Sequence, residues 1–446
     1  MTQVGMTGTR EQCFEQLLLG KVVPSQGWLE QIRTDALEHA RAMNFPLAGH
    51  DDWRFTDLSA LYLHDFHPVT TFAKLSLGDI AQFIIPDAIR LVFVDGCYAP
   101  ELSDLTRVGS GVTDNITVGS LVEGLGDRDV AENFGRHAPY KQDAFVALNT
   151  NFFEDGAWVH VAGKNAGNLD GEISTPIHLL HVATRRDTPS AIYPRCLVVM
   201  EANSRAIVVE DYVGHDSGIY FSNAVTEVVL KEHAQLQHVR VQREDKNAFH
   251  IGHCAVQSGR DSVYSSTSIA LGARVSRFGL HVTQHGEGAQ MHLDGLALIA
   301  GRQIADTHTL VNHCLPRGKS VQLHKCIADG AAHAVFNGKI IVHKGAVGTD
   351  SAQSSRNLLL SGKARIDTQP QLEIFNDDVK CKHGATVGQI DADALFFLRS
   401  RGFSEERARN LLTHAFADEI IVNIPVPSLV KSLSETILER MTGVGT

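Results

Sequence analysis

Cys381 and His383 stand two residues apart near the C-terminal end of the chain, in the stretch DVKCKHGATVG. Side chains alternate between the two faces of an extended strand, so a thiol and an imidazole at this spacing share one face. A soft sulfur donor beside a nitrogen donor suits a transition metal or an iron–sulfur species. Two ligands alone do not close a metal site, and taken by themselves they read as a buried cysteine beside a surface histidine. A second gathering, VNHCLPRGKSVQLHKC, holds His313, Cys314, His324 and Cys326. Four soft ligands could bind zinc. Adjacent residues face opposite sides of a strand, however, and the spacing fits no zinc motif, so structural roles are expected. His250, His253 and Cys254 in FHIGHC take the same discount. Glu227, Gln242 and Glu244 fit a lined sheet face and outward polar positions equally well.

Nucleotide and acyl-transfer chemistry leave no mark. There is no GxxxxGK[ST] loop, no GxGxxG between a strand and a helix, and no GxSxG elbow. Any ATP dependence must therefore come from a partner. The 446 residues are enough for two or three domains. A net charge of −11 argues against nucleic acid or an anionic membrane as the main partner. No apolar run approaches the ~20 residues that span a bilayer. The N-terminal MTQVGMTGTREQC lacks a signal-peptide core, so a cytoplasmic protein is expected. Seven cysteines without a CxxC do not suggest a disulfide framework, and the 23 histidines decide nothing by their number.

The elements that must hold Cys381 and His383 change character along the chain. Trp28, Ile32, Ala36 and Ala40 recur on one helical face before Pro46 breaks the pattern. From Arg90 alternation takes over. LVFVDGCYAPELS turns at Asp95-Gly96, and CLVVME, AIVVEDY, AVTEVVL, LQHVRVQ, RVSRFGLHV, LALIAG and KIIVHK follow with no visible helical crossover. A β middle of this length exceeds a single sandwich and suits a solenoid. Gly252, Gly272, Gly295, Gly318, Gly338, Gly362 and Gly384 suggest coils of about 20–24 residues. Leu372, Ile374 and Val379 continue the strand pattern around an Asn376-Asp377-Asp378 turn. Helices return beyond it. Asp391 and Ser404 are N-cap candidates and Gly402 a C′ candidate. Ala394, Leu395 and Leu398 share one face, Ala408, Leu411, Leu412, Ala415 and Phe416 a second, and Leu429, Leu433 and Ile437 begin a third helix.

DVKCKHGATVG followed by LFFLRSRGF resembles the C-terminal signature of the SufB/SufD family of iron–sulfur cluster assembly proteins, and the Cys-x-His-Gly-Ala form looks like its SufD branch. Trp53-Arg54-Phe55-Thr56, the strand from Arg90, Leu148-Asn149 and Asp155-Gly156 resemble further family elements. The resemblance implies a mainly β fold, a right-handed parallel β-helix between helical ends. It implies an N-terminal helical domain at 1–89, a β-helix core at 90–388 and a C-terminal helical domain at 389–446. It also implies a non-enzymatic scaffold that pairs with a SufB-like paralogue through the β-helices, or with a second copy of itself in isolation. A SufC-like ATPase would dock on the C-terminal helices, for which Leu395, Leu398, Leu411 and Phe416 are the candidate contacts. Cys381 and His383 would face the paralogue and contribute ligands to a transient iron–sulfur cluster shared with it, and this chain would bind no nucleotide itself. A β-helix can alternatively carry polysaccharide lyase or hydrolase chemistry. No recurring carboxylate pair stands out for that, and such enzymes are usually exported.

Overall fold

In a computed structural model that describes residues 9–442, except 21–24, 26, 44, 47–50, 70–71, 109–114 and 164–174, the alternating segments form two facing sheets. From Arg195 to Gly388 the chain gives one strand to each sheet in turn. Every neighbouring pair along this stretch is parallel, as in Tyr220–Leu230 beside Phe249–Ser258 and Gln235–Arg243 beside Val263–Ala270. This is a parallel β-solenoid, and period-2 alternation sends every second side chain inside. The coils are longer than the glycine intervals suggest. Phe249 pairs with Val275, 26 residues on, and His333 with Arg365, 32 residues on. The glycines fall at different places around successive coils and do not mark the repeat.

The helices at the start of the chain lie on the outward face of the first sheet. Trp28–Met43 buries Leu29, Ile32, Ala36 and Ala40, as its spacing requires. It packs on Ala144–Phe152, a helix absent from the sequence reading, and Arg33 donates to the carbonyl of Phe153 at 2.9 Å. Phe45 stacks on Phe145 at 4.7 Å, and Phe145 meets Phe221 of the sheet edge-on. Trp53 covers the Arg277 guanidinium at 3.8 Å, while Thr56 donates to Asp306. The Trp53–Thr56 element is thus a docking contact. Under Phe134 and the loop that follows it, Arg195 and Glu227 form a salt bridge with fully buried side chains. Glu227 also accepts from the backbone N–H groups of Gly135, His137 and Ala138 at 2.8, 2.8 and 3.0 Å.

The C-terminal helices cover the other sheet. Ile420, Ile421, Leu429, Leu433 and Ile437 share one apolar cluster with Val209, Val239, Val241, Ile269 and Leu296 of the strands. Lys325 is buried against them, over the ring of Phe416 and bonded to Glu419 and the carbonyl of Phe416. Asp391 caps Ala392–Ser400 through the N–H groups of Asp393 and Ala394, and Ser404 caps Glu405–Ile421 through that of Arg407. Both are the caps that the residue types indicate.

The interior is polar in places. Burial lowers His181 and His313 to about 4 and His324 to about 3, from 6.5. A histidine held neutral by the fold takes up its proton only on unfolding, so its contribution is complete above about 6.5 and lost as the pH falls through the native values. The urea midpoint is therefore expected to fall steadily from pH 6.5 to pH 4.5. A midpoint constant over that window would contradict this account of the interior.

Candidate functional site at the open end of the solenoid

The last coil leaves both sheets with a free edge. Arg365–Ile374 ends the first sheet and Val379–Gly388 the second, and among the described residues no strand pairs with either outer edge. Asn376 fixes the turn between them, its side-chain oxygen accepting from the N–H of Asp378 at 2.9 Å. Every residue of these strands is exposed or half-buried, including the large apolar Ile374 and Val387, and Phe375 in the turn between them is exposed as well. Unpaired edges of this length are a template for another chain unless they are covered.

Register places the two candidate ligands on this rim. The ladder Ala206, Leu236, Tyr264, Met291, Ser320, Ser351 runs through the interior and ends on Cys381. The ladder beside it, Val208, His238, Ser266, Leu293, Gln322, Gln353, ends on His383. Both side chains therefore belong to inward-facing rows at the point where the interior opens. Cys381 is half-buried and packs against the aliphatic core with Val379, while His383 is exposed. Under Cys381 a chain of hydrogen bonds runs from Ser351 to Ser320 at 2.7 Å and on to His313 at 2.9 Å. Under His383 the amide of the buried Gln353 makes no hydrogen bond within the chain. Burial, assisted by Asp350, pushes the Cys381 thiol up, so soft-metal ligation there must displace a proton.

The other candidates separate. His313 is held by Gln284 and Ser320, and Cys314 sits half-buried beyond the strand end. Cys326 faces His324 at 3.6 Å inside the solenoid, where His324 stacks on Phe336. His250 bonds Arg240 and pairs with Glu244 inside, whereas His253 lines a cleft against the helical layer. Gln242 donates to Glu244 at 3.0 Å. Glu227, Gln242 and Glu244 are thus buried in interior or interlayer networks, away from the open end.

The four helix residues that sequence analysis singles out differ in exposure. Leu395 and Leu398 are half-buried, Phe416 is covered by Lys325, and Leu411 is 44% exposed. The buried face of Glu405–Ile421 runs instead through Ala408, Thr413, Ala417, Ile420 and Ile421. Phe396 and Phe397 are 74% and 55% exposed on a helix with no buried residue, an exposure that helical spacing does not single out.

A parallel solenoid with helices at both ends of the chain, and a thiol and an imidazole on the rim of its open coil, defines a class of β-helical protein. Residues 22–168 match the SufBD protein N-terminal region, and residues 181–416 match the SufBD core domain of SUF-system FeS cluster assembly. The chain is 38% identical to an iron–sulfur cluster assembly SufBD family protein of Synechocystis, over 91% of this chain and 89% of that one. It is 31% identical to the iron–sulfur cluster assembly protein SufD of Escherichia coli, over 91% and 92%. It is 30% identical to the chloroplastic protein ABCI7 of Arabidopsis thaliana, over 89% and 83%. The chain belongs to the SufBD family, and these matches support a role in the Suf system. Among the described residues no helix is long and apolar enough to cross a membrane.

Proposed function

We propose that the chain is a cytoplasmic, non-enzymatic scaffold of iron–sulfur cluster assembly, organised as helical, β-helical and helical parts at 1–89, 90–388 and 389–446. Its open end pairs with a SufB-like paralogue, and its C-terminal helices dock a SufC-like ATPase. The observation that carries the reading is the uncovered last coil, whose two inward ladders end on Cys381 and His383. A paralogue ending in the same kind of edge would satisfy the free strands and enclose both side chains, as strand addition does elsewhere. The nascent cluster is cargo at this junction. Cys381, once deprotonated, supplies a soft ligand, and the imidazole of His383 supplies a nitrogen ligand to iron that is more easily released. Lability suits a cluster that must be passed on.

The two docking surfaces are testable separately by co-purification from a strain expressing all three proteins. Phe375→Asp with Val387→Asp should lose the paralogue and keep the ATPase. Phe396→Ala with Phe397→Ala, and Leu411→Ala added to them, should lose the ATPase and keep the paralogue. Both sets alter exposed positions and should change stability by no more than about 0.5 kcal/mol. Retention of both partners by both sets would refute the surface assignments.

A further inference from the structure

At the end of the sheets opposite Cys381, three ligand-type side chains from separate elements converge. Asp129 comes from the helix Arg128–Asn133, His160 from the strand Gly156–Val161, and Glu201 from the residue after the strand Arg195–Met200. Nε2 of His160 lies 3.6 Å from Oδ2 of Asp129 and 3.5 Å from Oε1 of Glu201. That nitrogen is shut off from solvent and makes no hydrogen bond. All three residues are half-buried, and among the described residues no other group of three or more His, Cys, Asp or Glu brings its ligand atoms within 4.8 Å of one another.

The distances discriminate between an ion pair and a shared ion. An imidazole N–H donating to a carboxylate is drawn in to about 2.7–3.2 Å, and here neither contact reaches that range. Two donors each about 2.1 Å from one tetrahedral cation stand roughly 3.4 Å apart, close to the separations observed. One nitrogen and two carboxylate oxygens suit a borderline divalent ion better than a soft monovalent one. Ring orientation is fixed as well, because His160 stacks on Trp158 with centroids 5.8 Å apart.

We propose that Asp129, His160 and Glu201 bind one divalent transition cation, zinc or ferrous iron, with a fourth position left for water. The two carboxylates balance the charge of the ion. Lys231 donates to the same Oε1 of Glu201 and is therefore the built-in competitor of the cation. The ion would tie the helix Arg128–Asn133 to two strands of the first sheet, at a site independent of the cluster rim.

The test is calorimetric titration of the purified full chain with zinc, and anaerobically with ferrous iron, in a Cys381→Ser background that removes thiolate uptake at the rim. One equivalent should bind. His160→Ala should weaken it by more than the roughly 10–100-fold that loss of an outer-shell partner costs. Asp129→Asn keeps the shape of the site, so it stays readable if His160→Ala does not fold, and it should lose affinity as well. Lys231→Ala should bind more tightly, a gain that a plain ion-pair network would not give. Cobalt in the same site should show d–d bands without a thiolate charge-transfer band. Unchanged affinity and stoichiometry in His160→Ala and Asp129→Asn, or unchanged or weaker binding in Lys231→Ala, would overturn the proposal.

Discussion

Glu227→Ala is expected to cost the folded protein about 3–5 kcal/mol, because it strands a buried guanidinium. Arg195 has no solvent to fall back on, since both side chains of the pair are fully buried. Its remaining partners are the neutral side chains of Asn149 and Thr150, each at 3.1 Å, and the ring of Phe134 at 4.4 Å. None supplies a counter-charge. Three backbone N–H groups between Gly135 and Ala138 would lose their acceptor in the same step. Converting both members to methionine should therefore recover only part of the loss. Removing both charges ends the electrostatic penalty, but any of the three amides that water does not reach keeps a desolvation cost. Urea unfolding of the single and double variants measures both terms. A single variant within about 1 kcal/mol of the parent would show that the helical layer opens to water there.

Deleting the chain from Asp391 onward is expected to leave it insoluble. Ile420, Ile421, Leu429, Leu433 and Ile437 are buried against the aliphatic outer face of the second sheet. Each fully buried aliphatic side chain contributes about 1.5–3 kcal/mol, so the five together are on the order of 10 kcal/mol, comparable with the whole stability of a domain. The truncation also uncovers Val209, Val239, Val241, Ile269 and Leu296 as one contiguous apolar patch, a surface that drives association. Loss of a partner from such a truncation would therefore carry no information, and docking is better tested by point changes at Phe396 and Phe397. A soluble, monodisperse truncated protein with an intact strand spectrum would contradict this packing.

Local rules were legible wherever a few adjacent residues determine the backbone. Asp95 and Gly96 both adopt positive φ, 51° and 87°, in the hairpin turn that their types suggest, and Asp391 and Ser404 cap as expected. The helix Ala144–Phe152 was not legible because all nine of its residues are buried, which erases the polar stripe that periodicity needs. The coil length was hidden for a different reason. Loops between strands vary, so no residue type recurs at a fixed interval. Leu411 lies on the exposed side of its helix because the packed face is set by where the sheet lies, which local spacing does not encode. Cys381 and His383 were visible as neighbours, but that both end inward-facing ladders depends on register over the whole solenoid. Asp129, His160 and Glu201 had no sequence signal, since topology alone brings them together.

The proposed nascent cluster between the open rim and a paralogue is read out in the iron and labile sulfide content of the co-expressed complex carrying Cys381→Ser and His383→Ala, with melting temperature and ATPase activity measured alongside. Both positions lie on the last, solvent-facing coil, so the double variant should cost no more than about 1 kcal/mol of stability. The double variant should assemble a complex with parental melting temperature and hydrolysis that retains less than about a tenth of the iron and sulfide, because both of this chain's proposed ligands are gone. Full cluster loading in the double variant would contradict the shared cluster site.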